Sequence, residues 1–316
     1  MRDRLSIPIP DDRIEELPYY HPGPESAEVR YLKERRAELG GSLPQRRRRA
    51  SAQLVAPELP AFDALLQSSG DREISTTMAL VRTINILLRD KQVGPRVVPV
   101  IADEARTFGM EGLFRQIGIY APFGQAYTPN DASQLVYYRE ATDGQVLQEG
   151  ISEAGGISAW IAAGTSYSVN DVPMLPFFLY YAMFGFQRVG DLAWAAADMR
   201  TRGFLVGGTA GRTTINGEGL QHEDGHSHLM SGAIPNVVSY DPTFAYEVAV
   251  IVQDGVRRMM QEQEDVYFYL TVMNEAYQHP AMPDGAAQGI LRGMYLLAPA
   301  TAVAADAPRV QLLGAG

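Results

Sequence analysis

LPFFLYYAMFGFQRVGDLAWAAADMRTRGFLVGGTAG, residues 175–211, holds two apolar runs separated by a segment of helical character. LPFFLYYAMF (175–184) is apolar without alternation, as a strand buried on both faces must be. DLAWAAADMR (191–200) predicts a helix, and GFLVGGTAG (203–211) predicts a second strand running into a glycine-rich turn. A strand, a helix and a strand within 37 residues is the unit of a parallel sheet.

The same order recurs on both sides. STTMALVRTINILLRDK (75–91) opens on Ser and Thr caps and places Val81, Ile84 and Leu88 on one helical face. RVVPVIADEA (96–105) then predicts a buried strand that ends in Asp103 and Glu104. GISEAGGISAWIAAGTSYS (150–168) predicts a helix of small residues ahead of the central strand. NVVSYDP (236–242) predicts a strand whose Asp241-Pro242 caps the helix TFAYEVAVIVQDGVRRMM (243–260), and VYFYLTVMNEA (266–276) predicts a last buried strand. The fold class is therefore α/β, a parallel sheet covered by helices on both faces, whose sites gather at the carboxyl ends of its strands.

Three regions differ in character. Residues 1–70 are broken by prolines, with one helix expected from Glu25 to Leu39, and read as an irregular segment that wraps another body. Residues 71–300 form the α/β domain. Residues 301–316 read as the start of a further carboxyl-terminal domain, with APRVQLLGAG (307–316) beginning like a strand.

A net charge of −10 and no cysteine among 316 residues bound the chemistry. An acidic chain offers no broad positive surface to phosphates, so nucleic acid is not expected as a partner. Disulfides, thiolate nucleophiles and cysteine metal sites are excluded, which accords with a reducing cytoplasm. Neither a signal-peptide core nor an apolar run of about 18 residues is present, and no membrane association is expected. Arg46–Arg49 is a basic run that reads as a solvated linker, with a partner or nucleic-acid contact as the alternative.

The motifs divide quickly. HEDGH (222–226) matches the zinc-peptidase pattern H-E-x-x-H, which requires a helix to bring its two histidines onto one face. Gly217, Gly219 and Gly225 surround it, so a loop is expected, on which two or three side chains could still meet a metal; no metal ligand is assigned. GGTAGRTT (207–214) lacks the spacing and the lysine of a P-loop, and neither G-x-S-x-G nor a strand-to-helix G-x-G-x-x-G occurs. What remains is a polar set at strand ends and in loops: Asp103, Glu104, Glu149, Glu153, Arg212, Glu218, His222, His226 and His228. Such carboxylates and imidazoles suit proton movement around a cofactor that carries the difficult chemistry.

ADEARTFGMEGLFRQIGIY, LQEGISEAGG, SYDPTFAYEVAVIVQDG and above all the run from Met183 to His228 resemble the homodimeric bacterial first component of the pyruvate dehydrogenase complex. The likeness covers nearly the whole chain. It implies the pyrimidine-binding domain of a thiamine-diphosphate enzyme that decarboxylates pyruvate and passes the acetyl group to the lipoyl-bearing dihydrolipoyl acetyltransferase component. It also implies a homodimer with each site built from two chains. By resemblance Glu153, in GISEAG, hydrogen-bonds the pyrimidine and promotes ionisation of the thiazolium carbon, with Glu149 as the rival. Tyr181 and Phe184 would form the aromatic wall against the pyrimidine; packing alone would read them as ordinary core. His222 would face the substrate, supported by His226 and Glu218, with Glu104 a further active-site acid. Residues 123–139, carrying Asp131, would be a loop that closes over the site. The family holds its Mg²⁺ and diphosphate at a G-D-G motif in an upstream domain, and no G-D-G occurs here. The Mg²⁺ ligands are thus expected outside the chain, and the chain alone is expected to be inactive. The alternatives are a non-catalytic remnant that keeps the fold as an interaction module and, last, a metal-dependent hydrolase.

Overall fold

Alternation along the strands divides the apolar residues between two cores. The structure, a computed structural model, describes residues 1–41, 46–101, 105–130, 138–211, 219–300, 308 and 310–314. Its main sheet has strands β1 (Val97–Ile101), β2 (Leu147–Gln148), β3 (Leu175–Tyr181), β4 (Phe204–Gly208), β5 (Val237–Tyr240) and β6 (Tyr267–Thr271). They lie in the order β2-β1-β3-β4-β6-β5, and every pairing is parallel. Phe177 and Leu179 of β3, Phe204 and Val206 of β4, and Phe268 and Leu270 of β6 face one core. Phe178, Tyr180, Leu205, Tyr267 and Tyr269 face the other. Both sets are buried, which is why these strands are apolar at every position. Pro99 sits inside β1 without breaking the sheet. Strand β2 covers only Val100 and Ile101, so the first half of β1 is in effect an edge, where a missing N–H costs no ladder bond.

Chain order places α1 (Ala27–Glu38) first, in a unit of its own, Met1–Arg47. It has no buried residue, and Ser26 caps it by accepting from the Val29 amide at 3.3 Å. The second unit, Arg48–Gly316, contains the sheet. Helices α2 (Thr76–Arg89) and α6 (Ala245–Val256) pack on one face. Helices α3 (Glu153–Gly164) and α4 (Ala182–Asp198) cover the other through Ile157, Trp160, Phe186 and Ala193. A short α5 (Ser227–Ser231) lies between α4 and α6 in sequence. Residues 50–66 also belong to this unit and supply Leu54, Ala56, Phe62 and Leu65 to the first core.

Three local expectations are corrected. The strand expected over 175–184 ends at Tyr181, and α4 begins at Ala182 with no loop between. The helix can start there because Gly185 lets it pass over Tyr180: a Cβ at Gly185 would lie 1.9 Å from the Tyr180 ring. Helix α4 thus starts nine residues before the expected Asp191, with one non-helical residue, Val189, inside it. The cap of α6 is Glu247, whose Oε2 accepts from the Thr243 and Phe244 amides at 2.5 and 3.2 Å. Asp241 is used elsewhere, as described below. At the carboxyl end, the described residues 310–314 are exposed and form no strand.

The amino ends of the strands are closed by Arg202, only 2% exposed. Its Nη2 donates to the carbonyls of Gln263 and Arg48 at 2.8 and 3.1 Å, and its Nη1 to Gln263 Oε1 at 3.2 Å. The guanidinium lies 3.8 Å from the centre of the Tyr167 ring. Burial pulls its pKa down from the ordinary arginine value.

His279 is buried in the small antiparallel pairing of Glu73–Ile74 with Tyr277–Gln278. Its Nδ1 accepts from the Ala245 amide at 2.8 Å, so the proton is on Nε2, which donates to the Ile74 carbonyl at 2.9 Å. Burial depresses its pKa below 6.5, with Arg82 adding to the effect and the Ile74 carbonyl opposing it. A histidine neutral when folded contributes fully above the unfolded-state pKa and loses that contribution as pH falls through it. Unfolding free energy should therefore drop below about pH 6.5, with a slope of at most about 1.4 kcal/mol per pH unit from this group. His279→Gln, whose amide can make both bonds, should remove that part of the slope in urea titrations at pH 8 and pH 5. A second prediction concerns α4. Gly185→Ala should cost about 1–3 kcal/mol because the buried Tyr180 ring cannot yield. Gly190→Ala, whose nearest atom would be 4.0 Å away, should gain roughly 0.5–1 kcal/mol from helix propensity.

Candidate active site at the carboxyl edge of the sheet

The carboxyl ends of the strands bring polar and aromatic side chains to one edge. Tyr181 ends β3, Thr209 follows β4, Asp241 follows β5 and Thr271 ends β6. Glu149 follows β2, and its amide still donates to the Ile101 carbonyl of β1 at 3.1 Å. Glu153 is the first residue of α3, whose cap Ser152 accepts from the Gly155 amide at 3.1 Å.

The two carboxylates have different settings. Glu149 lies back over the first turn of α3, where its Oε2 would be 3.2 Å from a Cβ on Gly155. Glu153, with a side chain 17% exposed, forms an ion pair with Arg188 of α4. The Arg188 guanidinium lies 4.5 Å from the centre of the Phe184 ring, so one cation links the carboxylate to an aromatic surface.

That surface is a cluster of rings. Tyr181 and Phe184 meet edge to face at 6.2 Å, and the imidazole of His222 is set against both, at 4.8 Å from Tyr181 and 5.3 Å from Phe184. Phe108 backs Tyr181 at 5.5 Å. Perpendicular rings leave flat faces beside an ionisable nitrogen and a carboxylate, an arrangement suited to a flat heteroaromatic ligand.

His222 closes the short 3₁₀ turn Leu220–His222, while His226 precedes α5. The HEDGH pattern is thus not carried on a helix, and its histidines do not share a helical face as zinc peptidases require. Among the described residues, no group of three or more His, Asp or Glu is arranged to hold a metal. The segment is organised by Asp224, 2% exposed. Asp224 Oδ1 accepts from the His226 and Ser227 amides at 3.1 and 3.0 Å, and Oδ2 accepts from the Ser227 hydroxyl. His226 in turn meets the Gln187 amide of α4 at 3.0 Å.

A third histidine belongs to the same edge. The Thr271 hydroxyl donates its one proton to Asp241 Oδ1 at 2.5 Å. It can therefore only accept from His228 Nε2, at 2.8 Å, which fixes that imidazole's proton on Nε2.

Of the residues expected in the site, the structure brings together Glu153, Tyr181, Phe184 and His222, with His226 on the adjoining turn. Glu104, Asp131 and Glu218, like Asp103 and Arg212, lie outside the described residues. Sequence reasoning missed Arg188, Asp224, Phe108 and the Asp241–Thr271 pair. Only Arg188 had a usable signal, standing four residues after Phe184 on one helical face.

Comparison with known proteins follows the geometry. The family described as "Pyruvate dehydrogenase E1 component middle domain" matches residues 57–280. The chain is 61% identical over 316 residues to the pyruvate dehydrogenase E1 component of Cupriavidus necator. It is 60% identical over 315 residues to that of Pseudomonas aeruginosa, and 56% over 317 residues to that of Escherichia coli. All of the chain is covered in each case, but only 35% of the relative, so the chain spans about a third of the length of these proteins. Among solved structures, it is similar in fold to transketolase from Leishmania mexicana, with a TM-score of 0.52, 12% identity, and coverage of 70% of this chain and 29% of that one. Transketolase from Campylobacter jejuni gives a TM-score of 0.51 at 15% identity, covering 70% and 28%.

The Asp224 arrangement yields a prediction. Asp224→Ala strips two amides and a hydroxyl of their acceptor and should lower stability by about 2–4 kcal/mol. Amide hydrogen exchange should localise the loss to His226 and Ser227.

Proposed function

The chain belongs to the pyruvate dehydrogenase E1 component middle-domain family, and from that premise we propose that it builds the pyrimidine-binding half of a thiamine-diphosphate site. The reaction of the whole protein, on this reading, is oxidative decarboxylation of pyruvate with acetyl transfer to the lipoyl group of a dihydrolipoyl acetyltransferase partner. One observation carries the reading: the carboxylate of Glu153, tied through Arg188 to Phe184, stands at the same edge as the Tyr181–Phe184–His222 cluster.

These residues fit the organic half of the cofactor. Tyr181 and Phe184 offer apolar faces to a flat ring, and Glu153 offers a carboxylate that can share a proton with a ring nitrogen. Arg188 keeps that carboxylate in one place. Thiamine diphosphate, when bound, would supply a nucleophilic carbon for the 2-oxo group and a cationic ring able to take up the electron pair released by decarboxylation. His222, held against both rings, can give or take a proton at the reacting end of the substrate, and Gln187 and Asp224 orient His226 behind it. Glu104, Glu218 and the loop residue Asp131 are proposed as further groups of the site. The Mg²⁺ and diphosphate ligands are assigned to residues outside this chain, since no G-D-G occurs in the 316 residues. We further propose a homodimer acting in the cytoplasm. Among the described residues, no helix is long and apolar enough to cross a membrane.

The native-length protein should bind thiamine diphosphate with Mg²⁺ in calorimetry. Glu153→Gln should retain binding within about tenfold while turnover with pyruvate falls by roughly 10²–10⁴, the range for a lost general acid–base group. Tyr181→Ala should instead weaken binding by roughly tenfold, the equivalent of about 1.4 kcal/mol. The 316-residue chain alone should show no turnover; robust turnover by it would overturn the assignment of the diphosphate site. A native-length protein with no affinity for the cofactor would leave the fold as an interaction module.

A further inference from the structure

Thr271 ends β6, a strand whose other side chains are aromatic or aliphatic, and it is only 1% exposed. Valine has the same shape and suits a buried strand better, so the hydroxyl is explained by what it bonds. It donates to Asp241 Oδ1 at 2.5 Å and accepts from His228 Nε2 at 2.8 Å. The loop after β5 and the helix α5 thus meet on one buried oxygen. Its bond to a carboxylate is charge-assisted, which strengthens the bond it accepts from the imidazole.

The segment His222–His228 runs from the ring cluster to this bond. Asp224 gathers it into one turn by accepting from the His226 and Ser227 amides and from the Ser227 hydroxyl. At its start, His222 rests on the Tyr181 and Phe184 rings, contacts that tolerate a wide range of distances and tilts. In its middle, His226 meets Gln187 at an exposed position. At its end, His228 is bonded to Thr271 and its ring lies 5.1 Å from that of Tyr269. Beyond it, Ser231 bonds Ser239 of β5 at 2.7 Å. The buried, directional attachment of the segment is therefore at its His228 end.

The sheet fixes both ends of that span. Tyr181 of β3 is in register with Gly208 of β4, and Thr271 of β6 with the adjacent Gly207. The segment consequently bridges from one flanking strand of β4 to the other, with His222 over β3 and His228 over β6.

We propose that Thr271 and His228 are positioning residues for His222: the hydrogen-bond chain from Asp241 through Thr271 to His228 fixes the turn that sets the His222 imidazole over the ring cluster. The proposal rests on the reading of His222 as the group that gives or takes a proton at the substrate. Such a group has to be held to within about 0.5 Å, and a misplacement of about 1 Å can cost roughly 10²-fold in rate. Tyr181, Phe184 and Glu153 belong to β3, α4 and α3 and take no support from this chain of bonds. Its loss should therefore fall on turnover and spare cofactor binding.

The test is a double-mutant cycle in the native-length protein. Thr271→Val and Thr271→Ser are each made with His222 in place and with His222→Ala, and His228→Leu breaks the same bond from the other side should Thr271→Val not fold. The readouts are the affinity for thiamine diphosphate with Mg²⁺ by calorimetry, and kcat and KM for pyruvate. With His222 in place, Thr271→Val and His228→Leu should each lower kcat by roughly tenfold or more, with KM and cofactor affinity within about threefold of wild type. Thr271→Ser, which keeps the hydroxyl, should restore kcat to within about threefold. In the His222→Ala background, Thr271→Val and His228→Leu should cost almost nothing further, because residues acting through one group are not additive. An equal fold-loss in both backgrounds would overturn the proposal, since the bond would then serve the fold as a whole. So would an unchanged kcat in either variant that folds, a Thr271→Ser no better than Thr271→Val, or a cofactor affinity outside that range. A wild-type protein that binds no thiamine diphosphate, or a His222→Ala variant with undiminished turnover, would instead sink the reading of the site on which the proposal stands.

Discussion

Strand β3 passes into helix α4 without a connecting loop, and the site depends on that junction. The last strand residue and the first helical turn supply Tyr181 and Phe184, and the next turn supplies Gln187 and Arg188. A loop would have let these side chains move relative to the sheet. The direct junction fixes them to it, which is how a binding surface gains precision from regular structure. The geometry demands small residues: Ala182 is fully buried, and Gly185 and Gly207 bring the helix down onto Tyr180 and onto the neighbouring strand.

Glu153, His226 and His222 then take their positions from α4. Arg188 reaches back to the first residue of α3 and draws Glu153 toward Phe184. Gln187 reaches forward to His226, and His222 comes to rest on the two rings. The choice between Glu149 and Glu153 is thus framed by packing. Glu153 joins the wall through a cation, while Glu149 turns onto the first turn of α3, four residues further along the chain.

The parallel sheet was legible because strands buried on both faces leave an unbroken apolar record, as Leu175–Tyr181 does. The same record misled at its end. Ala182–Phe184 is as apolar as the strand before it, and composition cannot separate a buried strand from the buried first turn of a helix. The cap of α6 was misplaced because Asp241-Pro242 has the usual chemistry, yet Asp241 is engaged with Thr271 and a glutamate inside the helix does the capping. Among the candidate site residues, Glu153, Tyr181, Phe184 and His222 were reached through a long family likeness, and periodicity alone would have left the aromatics as core. Asp224 was out of reach, since it is defined by the amides it accepts from.

At the opposite pole, Arg202 closes the amino ends of the strands with a charge whose hydrogen-bond partners are carbonyl oxygens and whose face lies on Tyr167. Added salt weakens attraction between opposite charges, as in the exposed pairing of Arg200 with Asp265. It has little purchase on a buried guanidinium held by dipoles. Changes in ionic strength should consequently be felt by the exposed Arg200–Asp265 pair and by the Glu153–Arg188 pair, whose arginine is half exposed, more than by Arg202.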